Sequence, residues 1–251
     1  MSEASPPAGY TSFQVGRAQV VAHASVADDV RAAMSGGTLH AWAARQPGAR
    51  AMKGRATAWA TTLRGGAEIV VRHSRHGGLL APLTGDLFRS PTRAPRELDA
   101  SLRLAAAGVP TPEVLAYAVY PAIGPFVRAD VASRLLRGSA LPDVWTDTLT
   151  VDDTWVLVGA LTRLLTALRK AGAFHPDLNV RNVLIADGPG EPLAAVLDVD
   201  RVVFGTPGDP SLSAKNLRRL LRSMGKEGIG FRVNFTSRQV QRLRDAAGAP
   251  S

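Results

Sequence analysis

The sequence predicts an α+β protein of two lobes, residues 1–136 and 137–251. Three observations predict it. Up to about Leu136 the apolar residues fall in short alternating runs, as strands require, around one main helix. Beyond that point the strongest signal is a long amphipathic helix, DDTWVLVGALTRLLTALRKAG. The composition shifts over Leu136–Pro142, where a hinge is expected. With 251 residues and 45% hydrophobic content, the chain is globular and long enough to bury a sizeable core.

In chain order, residues 1–12 read as a loose tail rich in Ser, Pro and Gly, and FQVGRAQVVA, 13–22, as a strand. ADDVRAAM is a short helix with acids at its start. GRATAWATTL and AEIVVRH form a hairpin about Gly65–Gly66. Residues 91–107 read as a helix: Pro91 and Pro95 suit only its beginning, Leu98, Leu102 and Ala105 make one stripe, and Gly108 stops it. VLAYAVY and FVRADVASRLL are two further strands. In the long second-lobe helix, Asp152 and Asp153 favour the N-terminus, and Leu157, Leu161, Leu164, Leu165 and Leu168 share a face. NVLIA and AAVLDV are a short strand pair, and SAKNLRRLLRSM closes as a helix.

The net charge of +9 favours anionic partners, although an Arg- and Ala-rich composition contributes, since only four of the thirty basic residues are lysines. No nucleic-acid-binding motif accompanies the charge, and no nucleic acid or obligate protein partner is expected. The chain has no cysteine, which excludes disulfides and thiolate metal sites. With no apolar run long enough to span a membrane and no secretory signal, a cytoplasmic protein is expected.

The chemistry gathers in FHPDLNVRNVLI. His175, Asp177 and Asn182 fit H-x-D-x-x-x-x-N, the catalytic-loop pattern in which Asp accepts a hydroxyl proton and Asn holds a Mg²⁺. Asp198 ends the next apolar strand, where a second metal-binding carboxylate belongs, and Asp200 is the alternative ligand. A loop stabilised by Asx-turns would use the same residues without ligand. Upstream, Gly54 with Arg55 and Thr57 lies where a phosphate-covering loop turns between two strands. Arg72 ends EIVVR in the place of a phosphate-binding strand lysine, and Glu97 on the following helix is its expected partner. No lysine lies between Gly54 and Lys170, so a cation there is Arg72 or Lys53.

The pieces GRATAW, VVRHSRHGGLL, RELDASLRLAAAGVPTPEVLA, HPDLNVRNVLI, LDVDR and NLRRLLRSMGK together resemble the lipopolysaccharide kinase family, most closely its branch acting on 3-deoxy-D-manno-octulosonic acid (Kdo). The resemblance implies a bilobal protein-kinase-like fold with a small, truncated C-terminal lobe, ATP and a divalent cation. It also implies phosphorylation of a Kdo hydroxyl on a lipid A precursor at the cytoplasmic face of the inner membrane. Asp177 is then the general base and Asn182 and Asp198 the metal ligands, with His175, Asn179, Asp200 and Arg201 in support. Ala56 and Val199 depart from the family's usual Gly and Phe.

Residues 199–251 leave room for two or three helices rather than a peptide-docking lobe. In the first of these, Leu217, Leu220, Leu221 and Met224 form a stripe, while Lys215, Arg218, Arg219, Arg222 and Lys226 share the other side. Arg218, Arg219 and Arg222 are expected to meet an anionic sugar or glycolipid acceptor or an anionic membrane surface. An ordinary solvated helix face is the alternative. Competing activities are a small-molecule phosphotransferase of the aminoglycoside or choline type and a pseudokinase that only binds nucleotide.

Overall fold

A computed structural model describes residues 5–52, 58–74, 85–89, 92–146, 148–187, 190–227 and 236–248. The chain divides into two compact units. The first comprises Met1–Leu98 with Glu113–Leu135, and the second Asp99–Pro112 with Leu136–Ser251.

The first unit is built on an antiparallel sheet. Its strands are β1 (Tyr10–Val15), β2 (Ala18–His23), β3 (Arg50–Met52), β4 (Ala58–Thr62), β5 (Glu68–His73), β6 (Phe88–Arg89), β7 (Val114–Pro121) and β8 (Phe126–Arg134), in the order β1-β2-β7-β8-β5-β4-β3, with β6 also on β8. The single strand expected over 13–22 is instead a hairpin, since Gly16 at φ 57° turns the chain. The expected tail contributes Tyr10, whose hydroxyl donates to Val114 O at 2.6 Å. Burial pushes that phenol up to about 12. Helices α1 (Ala27–Ala33) and α2 (Leu39–Ala44) contribute Val30 and Leu39 to a core with Val20, Ile69, Val71 and Leu115. The sequence does not reveal α2, which is too short for a helical period; Thr38 caps it by accepting Ala41 N–H at 3.2 Å. The β4–β5 turn is tied down where Gly65 N–H donates to Asp29 at 2.8 Å, and a Cβ there would meet that same carboxylate at 2.7 Å.

A polar cluster lies within this unit. Asp130 is fully buried and accepts from Tyr120 OH (2.9 Å), His40 N–H (2.9 Å) and His73 Nδ1 (2.6 Å). His73 Nε2 meets Asp86 at 2.8 Å, and Arg128 holds the same Asp86 oxygen at 2.7 Å.

Helix α3 (Ala94–Ala106) runs through the unit boundary at Leu98–Asp99. The expected stripe is displaced: Leu98 is buried, but Leu102 is half-buried and Ala105 exposed, and the buried positions are Ala94, Glu97, Ala100, Ser101 and Leu104. Two small or polar residues, Ala100 and Ser101, occupy buried positions that a search for large apolar residues passes over. Ala100, Leu104 and Val109 belong to the second unit's core, which is why Asp99–Pro112 departs from the expected division at residue 136.

The second unit contains β9 (Gly138–Ala140), α4 (Leu141–Val144), α5 (Val151–Lys170), β10 (Ala173–Phe174), β11 (Val183–Ala186), β12 (Leu193–Val196), β13 (Val203–Phe204), α6 (Pro210–Lys226) and α7 (Ser237–Ala247). β11 pairs with both β12 and β9, and β10 with β13. The expected leucine face of α5 is buried, and a Thr150–Asp153 capping box starts the helix. It packs with Leu217, Leu220 and Met224 of α6 and Leu243 of α7. A second capping box, Thr236–Gln239, opens α7, a sequence signal too short to stand out beside so few apolar residues. Gly172, at φ 61°, lets the chain leave α5: a Cβ there would lie 2.5 Å from Gly205 O.

The hydrogen bond to Asp130, then that to Asp86, raises the His73 pKa above its ordinary 6.5 against partial burial. The raised folded value means that this contribution to stability is complete below the unfolded pKa and is lost as pH rises through the folded one. Thermal unfolding of the parent and His73→Gln between about pH 5 and 9 is expected to show the widest gap on the acid side. A gap constant across that range would refute the assignment.

Candidate active site

The H-x-D-x-x-x-x-N segment leaves β10 in the second unit. Asn216 on α6 brackets Phe174: its Oδ1 accepts His175 N–H at 3.0 Å and its Nδ2 donates to Ala173 O at 2.8 Å. His175 is fully buried. Its Nδ1 accepts Asp177 N–H at 3.2 Å, so the network assigns the ring proton to Nε2, which donates to Leu197 O at 2.9 Å. One imidazole thereby ties the Asp177 loop to the segment carrying Asp198.

Asn179 and Asn182 set the loop's shape. Both side-chain amides donate to Asp177 O at 2.9 Å, and Asn179 Nδ2 also approaches Asp177 Oδ1 at 3.3 Å. Asn179 Oδ1 accepts from the N–H groups of Arg181 (2.9 Å) and Asn182 (3.2 Å). The Asx-turn chemistry is therefore present, but it belongs to Asn179. With its amide nitrogen committed to Asp177 O, Asn182 retains Oδ1 as the atom suited to a cation.

The β11–β12 pairing brings the second carboxylate to the same end of the strand pair. Val183 pairs with Val196, and Leu197 N–H donates to Asn182 O at 2.9 Å. β12 stops at Val196, short of the expected strand end at Asp198. Asp198 adopts φ 59° and ψ 57°, the sole left-handed non-glycine among the described residues, and a strand cannot continue through that conformation. Asp200, half-buried, and Arg201, exposed, follow on a 3-10 turn, Val199–Arg201. Among the described residues no three His, Cys, Asp or Glu side chains converge. A carboxylate with an amide oxygen is the sparse set of hard donors that Mg²⁺ completes with phosphate and water.

Asp177 lines an open cavity of about 570 Å³ with Phe174 and Asn179. The other wall is α6, which buries Leu217, Leu220 and Met224 and turns Lys215, Arg218, Arg219, Arg222 and Lys226 to the cavity. Ser223 fastens that wall to the loop by accepting Val180 N–H at 3.1 Å. Lys215 Nζ and Arg219 Cζ lie 5.8 and 5.7 Å from the Phe174 ring centre. The helix basic side is thus the wall of a cavity that also holds Asp177. Phe174, Asn216 and Ser223 are absent from the sequence-based candidates. Asn216 alone leaves a signal there, as a polar residue inside an apolar stripe.

In the first unit, Arg72 on β5 is paired with Glu97 in the first turn of α3. Glu97 is buried and Arg72 about one-third exposed. The helix N-terminus also favours the carboxylate. Gly54, Arg55 and Thr57, with Lys53, lie outside the described residues.

A loop of the H-x-D-x-x-x-x-N pattern, an Asn and an Asp brought to one end of a strand pair, and a basic cavity are the features expected of a phosphotransferase. The chain belongs to the lipopolysaccharide kinase (Kdo/WaaP) family, whose sequence model matches residues 40–246. It is 30% identical over 197 residues to a 3-deoxy-D-manno-octulosonic acid kinase of Xylella fastidiosa (strain 9a5c), covering 77% of this chain and 76% of that one. It is 32% identical to the enzyme of that name from Stenotrophomonas maltophilia (strain R551-3), with the same coverage. The solved structure of WaaP in complex with acyl carrier protein shares the fold, with a TM-score of 0.57 at 20% identity over 86% of this chain and 84% of that one. The protein is accordingly an ATP-dependent kinase of lipopolysaccharide biosynthesis that phosphorylates a sugar hydroxyl.

The left-handed backbone at Asp198 separates its steric role from its chemical one. Asp198→Ala is expected to be less stable than Asp198→Gly by about 1 kcal/mol in urea denaturation, since only glycine adopts this conformation freely. Both variants are expected to lose phosphoryl transfer. Equal stability of the two variants would mean that the backbone relaxes.

Proposed function

We propose that the acceptor is a Kdo hydroxyl on an anionic glycolipid of the lipid A precursor type. The observation that carries this is the cavity in which Asp177 faces five cationic side chains of α6. Kdo is a carboxylate sugar and lipid A precursors carry phosphates, so this wall would attract and orient such an acceptor. The names of the relatives favour the same sugar. A polycationic aminoglycoside is disfavoured by the charge of the wall. Among the described residues no helix is long and apolar enough to cross a membrane, so the lipid-linked acceptor would be met by peripheral contact with an anionic surface, which we assign to the cytoplasmic face of the inner membrane.

Within this reading Asp177 accepts the proton of the attacking hydroxyl. Asn179 and Asn182 hold its backbone carbonyl, and His175 its N–H, so the carboxylate is oriented before the acceptor arrives. Asn182 Oδ1 and the Asp198 carboxylate would hold Mg²⁺, with Asp200 and Arg201 supporting that turn. When bound with ATP, the ion supplies charge neutralisation on the transferring phosphate. Arg72, braced by Glu97, contributes a guanidinium to nucleotide phosphate, and Gly54, Arg55 and Thr57 are assigned to the phosphate-covering loop.

Transfer of labelled phosphate from ATP to Kdo-lipid, aminoglycoside and protein acceptors, run side by side, tests the assignment. Label on the aminoglycoside or protein and not on Kdo-lipid would overturn it. Asp177→Asn is expected to retain nucleotide binding and to lose about 10²–10⁴ in kcat; full turnover would remove Asp177 from the role. Arg72→Ala is expected to weaken nucleotide binding, and Arg72→Lys to restore it only in part, because an ammonium cannot reproduce the planar fork. Nucleotide titration calorimetry measures both, and identical affinities in all three proteins would exclude Arg72. Neutralising Arg218, Arg219 and Arg222 together should raise the acceptor KM while leaving ATP affinity unchanged, and raised salt should mimic the loss in the parent. An unaltered KM at low salt would reduce α6 to a solvated face.

A further inference from the structure

The turn between β7 and β8 differs from the described β1–β2 and β4–β5 turns of its sheet. From Pro121 to Phe126 it reads Pro-Ala-Ile-Gly-Pro-Phe, six consecutive residues without charge. Ile123 is 80% exposed and Phe126 36% exposed. The β1–β2 turn carries Gly16 and Arg17, and the β4–β5 turn Arg64, Gly65 and Gly66. Turns favour small and polar residues for their backbone angles and local hydrogen bonds, and isoleucine serves neither purpose. The tip is nevertheless fixed: Ala122 N–H donates to Phe126 O at 2.9 Å, Phe126 N–H to Ile123 O at 3.2 Å, and the two prolines restrict φ. Little ordering entropy remains to be lost when it docks.

The base of the tip carries an exposed arginine, Arg89. Arg89 on β6 pairs across from Phe126, and Arg128 lies two residues along β8. Arg128 and Asp86 are bound to each other, Asp86 also meets His73, and Asp130 is engaged by its buried partners, which leaves Arg89 as an exposed charge beside the tip. An exposed apolar tip with an exposed arginine beside it matches a bilayer interface, where acyl chains receive the apolar side chains and an anionic headgroup the Arg89 guanidinium. A second copy of the chain fits less well, because a two-fold contact through this tip would set the two Arg89 charges near each other.

We infer that the β7–β8 hairpin is an interfacial anchor that inserts Ile123 and Phe126 into an anionic phospholipid surface. It builds on the membrane contact of the proposed function but rests on a different part of the chain from α6, so the two fail separately. Because the sequence has no cysteine, Ile123→Cys gives a single site for an environment-sensitive fluorophore on the full chain. With vesicles of phosphatidylethanolamine and phosphatidylglycerol, the probe should shift to the blue and be quenched by brominated acyl chains. In cosedimentation, Ile123→Ser/Phe126→Ser should partition about tenfold less than the parent. Its melting temperature and its transfer of phosphate to water-soluble Kdo should be unchanged. The anchor is refuted if the parent does not pellet with these vesicles, if it pellets with the probe unquenched, or if the double variant pellets like the parent. It is equally refuted if the double substitution converts a dimer to a monomer, since the tip then serves a second copy. Loss of transfer to soluble Kdo in the parent, with the probe still quenched, would remove the proposed acceptor and leave the anchor standing.

Discussion

The second unit's site depends on a buried imidazole. His175 has no contact with water and each of its ring nitrogens is spent on a backbone group, one on the Asp177 loop and one on the Leu197 carbonyl. Such a side chain is useful only if its own backbone is held, which Asn216 does from α6. Three separate stretches of chain are therefore fixed to one another by a few hydrogen bonds. An unmet polar group in this position costs about 1–3 kcal/mol, which makes the arrangement nearly all-or-none. The positions of Asp177, Asn182 and Asp198 follow from that junction together with the Asn182 amide on the Asp177 carbonyl and the Leu197 N–H on the Asn182 carbonyl.

The same economy explains α6. Its buried stripe mixes Leu217, Leu220 and Met224 with Ser213 and Asn216. The apolar members seat the helix in the core, and Asn216 sets its height against β10. With the height set, the cationic side has no freedom to face elsewhere. Charge that composition alone leaves ambiguous acquires a location from packing.

Much of this was legible beforehand and for identifiable reasons. The leucine face of α5, Leu157 to Leu168, repeats at helical spacing over about three turns, and the Asp177–Asn182 spacing is a property of one short loop, so both survive without tertiary information. The Arg72–Glu97 pair was also accessible, because a strand end and a helix start have well-marked sequence signals. Elements whose form is set from outside were not. The hairpin at Gly16 needs β7 as its neighbour, and α2 is a stub secured by Asp130 and Tyr120, far away in sequence. The buried face of α3 was misplaced because a helix lying partly in each unit does not show a single apolar stripe. Asp198 appeared to belong to a strand, since nothing in a carboxylate's neighbours announces a left-handed backbone.

The way the chain threads its two units bears on how it emerges from the ribosome. The first unit is interrupted by residues 99–112 and completed only by 113–135. Synthesis therefore yields Ala100, Leu104 and Val109 well before α5, α6 and α7, the elements they are buried with. For that interval three apolar side chains are without their final partners, on a segment held at both ends by a unit already able to close. Neither unit corresponds to a continuous stretch that a simple truncation would release intact. Gene fragments cut at residue 136 would leave the first product with an unburied apolar edge and deprive the second of part of its core, a recipe for aggregation from either half.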